Sequence, residues 1–189
     1  MRLLAPALIL CAVVAGCGPS SDAKTKEDIA TMAKMLQSNG EPVKFEALQA
    51  FLPTDADITK NGWQKFEVTG MALAEPIKGA KAAMTLKKGD SELVVDIVDT
   101  VFNQSLFAPV AAFLADGFTD ENANGFKRSI KFQDQPAFEE WTSRDRVANL
   151  TILVGKRYLV HLQATNVGST EPVKSVAAWI NLTKLADLK

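Results

Sequence analysis

Apolar side chains recur at every second position in several stretches of this chain and at intervals of three and four in others. Strands and helices are therefore expected in a definite order. Residues 26–37 place Ile29, Met32, Ala33 and Leu36 on one helical face, with Asn39-Gly40 as the stop. Phe45, Leu48, Phe51 and Leu52 predict a second, shorter helix that ends at Pro53, and 53–62 reads as a loop. Strand signals then dominate. Residues 63–70 alternate, and Ala80–Lys87 and Glu92–Thr100 flank the turn signal Lys88-Gly89-Asp90, which predicts a hairpin. Residues 105–117 return to helical spacing, with Ser105 as the expected N-cap. Strands follow at 126–132 and 137–143, separated by a turn at Gln133–Pro136. Val147–Val154 and Arg157–Ala164 flank Gly155-Lys156, a second hairpin. A last helix is expected after Ser169 or Thr170, with Pro172 in the first turn where helices accept it. Leu182, Leu185 and Leu188 close the pattern. Neighbouring strands joined by tight turns must pair antiparallel. The expected fold is α+β: a single domain with a twisted antiparallel sheet and helices packed on it.

The start of the chain follows a different rule. Leu3–Val14 is almost wholly apolar behind the single cation Arg2. A run of about a dozen residues is short of the roughly 20 that a membrane-spanning helix needs. It matches the apolar region of a secretory signal, so residues 1–16 are set apart from the fold. Val14-Ala15-Gly16-Cys17 follows, and here the chain resembles bacterial lipoproteins, in which small residues lead into the modified cysteine. The resemblance implies a diacylglyceryl thioether on Cys17, cleavage before it, and acylation of the new amino group. Several acyl chains on one residue anchor a protein stably, whereas one chain binds only marginally. Gly18 after the cysteine implies outer-membrane sorting, facing the periplasm. Residues 17–24 are expected to form a lipidated tether and 25–189 the α+β domain.

Removing residues 1–16 leaves 20 basic and 22 acidic side chains, a net charge of −2. No concentrated basic footprint marks the chain, so nucleic acid is not an expected partner. With Cys17 lipidated and Cys11 in the signal, no thiol remains for disulfides, thiol catalysis or metal ligation.

Asp120, Asn122, Asn124 and Gly125 match the first half of an EF-hand loop, where alternating oxygen ligands suit a hard cation. Position 12 of that loop requires a bidentate carboxylate, and here it is Lys131; position 9 is Arg128. Residues 126–132 alternate like a strand instead of a helix. The expected outcome is a turn built from residues that tolerate left-handed backbone, and no metal. His161 is the one histidine and shares its strand face with Leu159 and Gln163. A single imidazole without thiols makes no zinc cluster, and no GxSxG motif accompanies it. Asp96 and Asp99 fall on opposite strand faces, as do Glu139 and Glu140, so neither couple forms an acid–base pair. Glu139 or Glu140 is expected to reach Arg144 or Arg146 in a surface ion pair of little energetic value. Trp63, Phe66, Phe126, Phe132, Phe138, Trp141, Tyr158 and Trp179 are expected to build the core, with one or two lining a cleft.

The body of the chain carries FxxLxxFLP, Gly62-Trp63, KKGDSELVVDIVDT, NGFKR, PAFEEW, LTILVGKRYLVHLQA and LTKLADL in this order. Over residues 45–188 it resembles a group of secreted and lipid-anchored bacterial proteins without assigned function. Their fold is similar to that of the PsbP and Mog1 proteins, an antiparallel sheet between helices. Fold does not determine function, and no catalytic residue carries over. The expected function is a non-catalytic ligand- or partner-binding module held at a membrane surface, with no cofactor. The alternatives are a carboxylate-dependent hydrolase and a structural subunit of an envelope assembly. One consequence is immediate: Cys17→Ala should abolish incorporation of labelled fatty acid and leave the precursor uncleaved. Normal labelling of that variant would refute the lipidation assignment.

Overall fold

The computed structural model describes residues 40–73, 78–101, 114 and 117–189. The expected helix at 26–37, all of that at 105–117 but Leu114 and Gly117, the tether and Cys17 lie outside the described residues. What is described is α+β and dominated by sheet: one antiparallel sheet of eight strands with a few short helices.

In chain order the elements are α1 (Phe45–Gln49), α2 (Asp55–Lys60), β1 (Gln64–Leu73), β2 (Gly79–Lys88), β3 (Ser91–Asp99), β4 (Thr119–Asn122), β5 (Gly125–Phe132), β6 (Gln135–Thr142), β7 (Val147–Val154), β8 (Tyr158–Thr165), α3 (Glu171–Ala177) and α4 (Leu182–Ala186). The strands lie in the order β1-β2-β3-β8-β7-β6-β5-β4. Two meanders, β1-β2-β3 and β4 through β8, are thus joined where β8 pairs with β3, Glu92 opposite Thr165 and Asp99 opposite Tyr158. Both expected hairpins form. The β7–β8 turn has Gly155 and Lys156 at φ 57° and 59°, left-handed backbone that matches the strand twist, and the Arg157 amide closes it on the Val154 carbonyl at 3.1 Å.

Strand alternation decides which face is buried. Leu93, Val95 and Ile97 of β3 sit beside Val160 and Leu162 of β8, then Leu150 and Ile152 of β7, all inaccessible to solvent. The helices cover this face through Leu48, Ile58, Val176, Leu182 and Leu185. Each such side chain contributes about 1.5–3 kcal/mol of transfer free energy before entropy is subtracted. Tyr158 is buried among them and donates its hydroxyl to the Leu188 carbonyl at 2.9 Å. Burial, the main cause, pushes its phenol up to about 12.

Several boundaries differ from expectation, each for a local reason. The stretch 53–62 is not all loop. Thr54 accepts a hydrogen bond from the Asp57 amide and donates one to its carboxylate at 2.6 Å, and this nucleates α2. The Gln133–Pro136 turn contracts to Gln133-Asp134, both left-handed, so that Pro136 lies within β6. Strand β4 was not expected, because its residues Thr119–Asn122 are polar and all exposed. Phe66 leaves the expected core: it stands at a bulge in the edge strand β1, is 65% exposed, and carries Lys87 Nζ 3.8 Å above its ring.

At the end of β3 the main polar tie of the fold is found. Asp99 is fully buried and its two carboxylate oxygens take four donors. Arg157 supplies Nε at 2.9 Å and Nη2 at 2.8 Å, and the Val43 and Val101 amides are each at 2.9 Å. Arg157 also donates to the Glu41 carbonyl at 3.2 Å, while its own carbonyl accepts from the Thr100 amide and hydroxyl. Removing one partner of a buried pair strands the other charge. Asp99→Ala should therefore lower unfolding free energy by about 3–5 kcal/mol in urea titrations, and Asp99→Ala with Arg157→Leu should lose less than Asp99→Ala alone. A single-variant loss below about 1 kcal/mol would show that the clamp is not structural.

Candidate functional site

The acids were the first candidates for chemistry, and the fold commits them to structure. Asp96 and Asp99 do point to opposite faces. So do Glu139 and Glu140, but the expected surface pairing with Arg144 or Arg146 is wrong. Glu139 shares its face with Ala137 and Trp141 on the helix-covered side, and it is 1% exposed. There β5 brings Arg128 Nε to 2.7 Å, α3 brings Lys174 Nζ to 3.2 Å, and the Thr170 hydroxyl donates the remaining bond. Thr170 precedes α3 but does not cap it with its side chain, because that hydroxyl is spent on Glu139; Ser169 accepts from the Glu171 amide instead. Burial alone would push the Glu139 carboxyl up. The hydrogen bonds from Thr170, Arg128 and Lys174 together outweigh burial and hold it below the ordinary value of 4.5. Glu140, on the other face, pairs with Lys127 at 2.7 Å. The Arg146 guanidinium donates to the Asn166 carbonyl at 3.2 Å.

His161 lies on the face opposite the core, as its strand parity requires. Its Nδ1 is 2.9 Å from Thr151 Oγ1 on β7, and on β3 it stands directly opposite Asp96. Asp96 Oδ2 pairs with Lys81 at 2.9 Å, whereas its buried Oδ1 has no hydrogen-bond partner among the described residues. One rung away, Gln163 donates to Asn149 at 3.0 Å. Burial, partly offset by the Asp96 charge, lowers the pKa of His161 from 6.5. Hydroxyl, imidazole and carboxylate are thus neighbours, but neither cavity described below is lined by Asp96, Thr151 or His161.

The DENANG segment forms a β-hairpin. Asp120 and Asn122 belong to β4, Asn122 Oδ1 accepts from the Asn124 amide at 2.8 Å, and β5 departs at Gly125. Gly125 has φ 142°, and a Cβ there would lie 1.9 Å from the Trp141 carbonyl oxygen. Its glycine is required by the close approach of β6 rather than by a cation loop. A hollow of about 210 Å³ lies beside this hairpin against Trp141.

A larger cleft of about 560 Å³ opens at the end of the sheet where the β2–β3 turn, the β8–α3 connection and the start of β1 meet. Trp63 and Trp179 supply its aromatic walls, which agrees with the expectation that one or two aromatics line a cleft. Asn61, Asn166 and Ser175 supply amide and hydroxyl groups. Its charged groups are Lys88 and Glu171. Lys88 Nζ donates to the Asn61 carbonyl at 3.0 Å and stands 6.0 Å from the Trp63 ring centroid. Sequence reasoning missed Lys88 and Ser175, which carry no motif; they meet only because three separate connections converge. Among the described residues no group of three or more His, Cys, Asp or Glu side chains is placed to hold a metal ion.

Glu139 and His161 predict separate acid responses. Both have native pKa values below their unfolded ones, so the unfolded chain binds the proton more readily and stability falls with falling pH. For His161 the loss begins near the ordinary value of 6.5, and for Glu139 near 4.5. Urea midpoints between pH 7 and pH 3 should decline in two stages. His161→Gln should flatten the first and Glu139→Gln the second, and an unchanged profile in either variant would contradict the assignment. No family model, curated protein or solved structure matches the chain.

Proposed function

We propose that this is a lipid-anchored envelope protein, held through Cys17 at the outer membrane and facing the periplasm, that binds a small ligand without transforming it. The single observation that carries the binding reading is the cleft between Trp63 and Trp179. Its volume of about 560 Å³ falls within the range of small-molecule sites, roughly 300–1,000 Å³. The buried acids favour binding over hydrolysis. Asp99 and Glu139 are saturated by donors that also hold the fold together, so neither has a free oxygen for a substrate proton. The cleft's own carboxylate, Glu171, pairs with Lys174 at 2.7 Å. No helix among the described residues is long and apolar enough to cross a membrane.

A second reading, binding of a protein partner, is favoured by the edge strand β1. Phe66, Val68 and Met71 are 65%, 40% and 48% exposed there, on a strand whose outer side pairs with no other strand among the described residues. The cleft outweighs it because the β1 apolar groups are few and interrupted by Lys65 and Glu67.

The test uses the full-length protein in detergent, screened against periplasmic metabolites and glycans by thermal melting and by the indole NMR signals of Trp63 and Trp179. A ligand present at 100 times its Kd should stabilise the native state by about 2.7 kcal/mol. Ser175→Trp, at an exposed helix position that lines the cleft, should remove that gain. A ligand whose stabilisation survives this variant, or turnover of any compound in the screen, would overturn the reading.

A further inference from the structure

We infer that the cleft takes a hydroxyl-rich ring bearing one anionic group, an acidic saccharide; this rests on the reading that the cleft is a ligand site. The chemistry of the walls limits the choice. Trp63 and Trp179 offer apolar surface suited to the C–H face of a ring. Between them the lining includes amide and hydroxyl groups of Asn61, Asn166 and Ser175; the Asn61 and Asn166 nitrogens already donate to the Asp57 and Asp90 carbonyls, which leaves their side-chain oxygens for a ligand. Ser175 is exposed and lines the cleft. A purely apolar ligand would strip water from these groups without replacing the bonds, which is costly. A ligand with many hydroxyls restores them, because each hydroxyl both donates and accepts.

Charge supplies the remaining constraint. The cleft holds one acid and one cation, and they are not equivalent. Glu171 is neutralised by Lys174 at 2.7 Å. Lys88 is the uncompensated charge: its Nζ is steadied by the neutral Asn61 carbonyl at 3.0 Å, and no carboxylate among the described residues pairs with it. An ammonium has three donors, so at least two remain for an incoming carboxylate or sulfate. Charge-assisted bonds of this kind are about twice as strong as neutral ones, which makes Lys88 the selector for an anionic group.

Calorimetric titration of the full-length protein in detergent tests this with three probes. They are an unsaturated hyaluronan disaccharide (hydroxyl-rich, one carboxylate), N,N′-diacetylchitobiose (hydroxyl-rich, neutral; chitobiose below) and benzoate (aromatic, anionic, no hydroxyl). The hyaluronan disaccharide should bind on the order of tenfold more tightly than either of the others. Lys88→Met should remove the preference for the acidic disaccharide over chitobiose, and Ser175→Trp should abolish binding of both. Chitobiose or benzoate binding as tightly as the acidic disaccharide would overturn the inference, as would an unchanged preference in Lys88→Met. Failure of all three probes, while another compound shifts the Trp63 and Trp179 signals, would sink the saccharide assignment alone. If no compound shifts them, the cleft reading falls with it.

Discussion

The pairing of β3 with β8 is the constraint on which the rest of this molecule depends. Each meander can form from neighbouring residues, yet neither closes a core by itself. Residues about sixty to seventy positions apart must meet before Leu93, Val95 and Ile97 find Val160 and Leu162 beside them. Loop closure on that scale is entropically unfavourable until contacts compensate it. The Asp99–Arg157 clamp stands at the end of this seam. It draws in the chain before α1 through the Val43 amide and the Glu41 carbonyl, so one buried carboxylate orders three segments. A slip of one residue would move Asp99 to the other face, away from Arg157 and the Val43 amide.

The same economy governs Glu139. A charge on the helix-covered face is tolerable only with hydrogen bonds to every free oxygen, and Arg128, Thr170 and Lys174 supply them. In doing so they tie β5, β6 and α3 together beside the connection that forms one wall of the cleft. The cleft is thus framed by residues that do not line it, while Lys88 and Ser175 in its lining remain at the surface. This division suits recognition: a rigid frame presents side chains that need not reorganise.

Much of the architecture was legible because it is local. Strand parity assigned Asp96 against Asp99 and Glu139 against Glu140 to opposite faces, and the turns at Gly89-Asp90 and Gly155-Lys156 stand where their residues placed them. Short-range chemistry was harder to read where it lacked an apolar signal. Thr54 and Asp57 built α2 within an expected loop, and polar β4 acquired its strand only by pairing with β5. The tryptophans were legible as candidates, but Lys88 looked like an ordinary turn lysine and Ser175 like a solvated helix position.

By itself the sequence determined periodicity: which side chains share a face, where turns interrupt them, and that sequential strands pair antiparallel. It also carried the cysteine and its preceding small residues, on which the membrane address is proposed. Tertiary structure alone decided partners. Whether Glu139 meets a surface arginine or is enclosed by Arg128, Lys174 and Thr170 depends on which strand and helix arrive beside β6. Whether Trp63 and Trp179 enclose a space depends on three connections meeting at one sheet end. Periodicity follows from the geometry of a single strand or helix, whereas partnership is settled by the global packing minimum, to which distant residues contribute as much as neighbours.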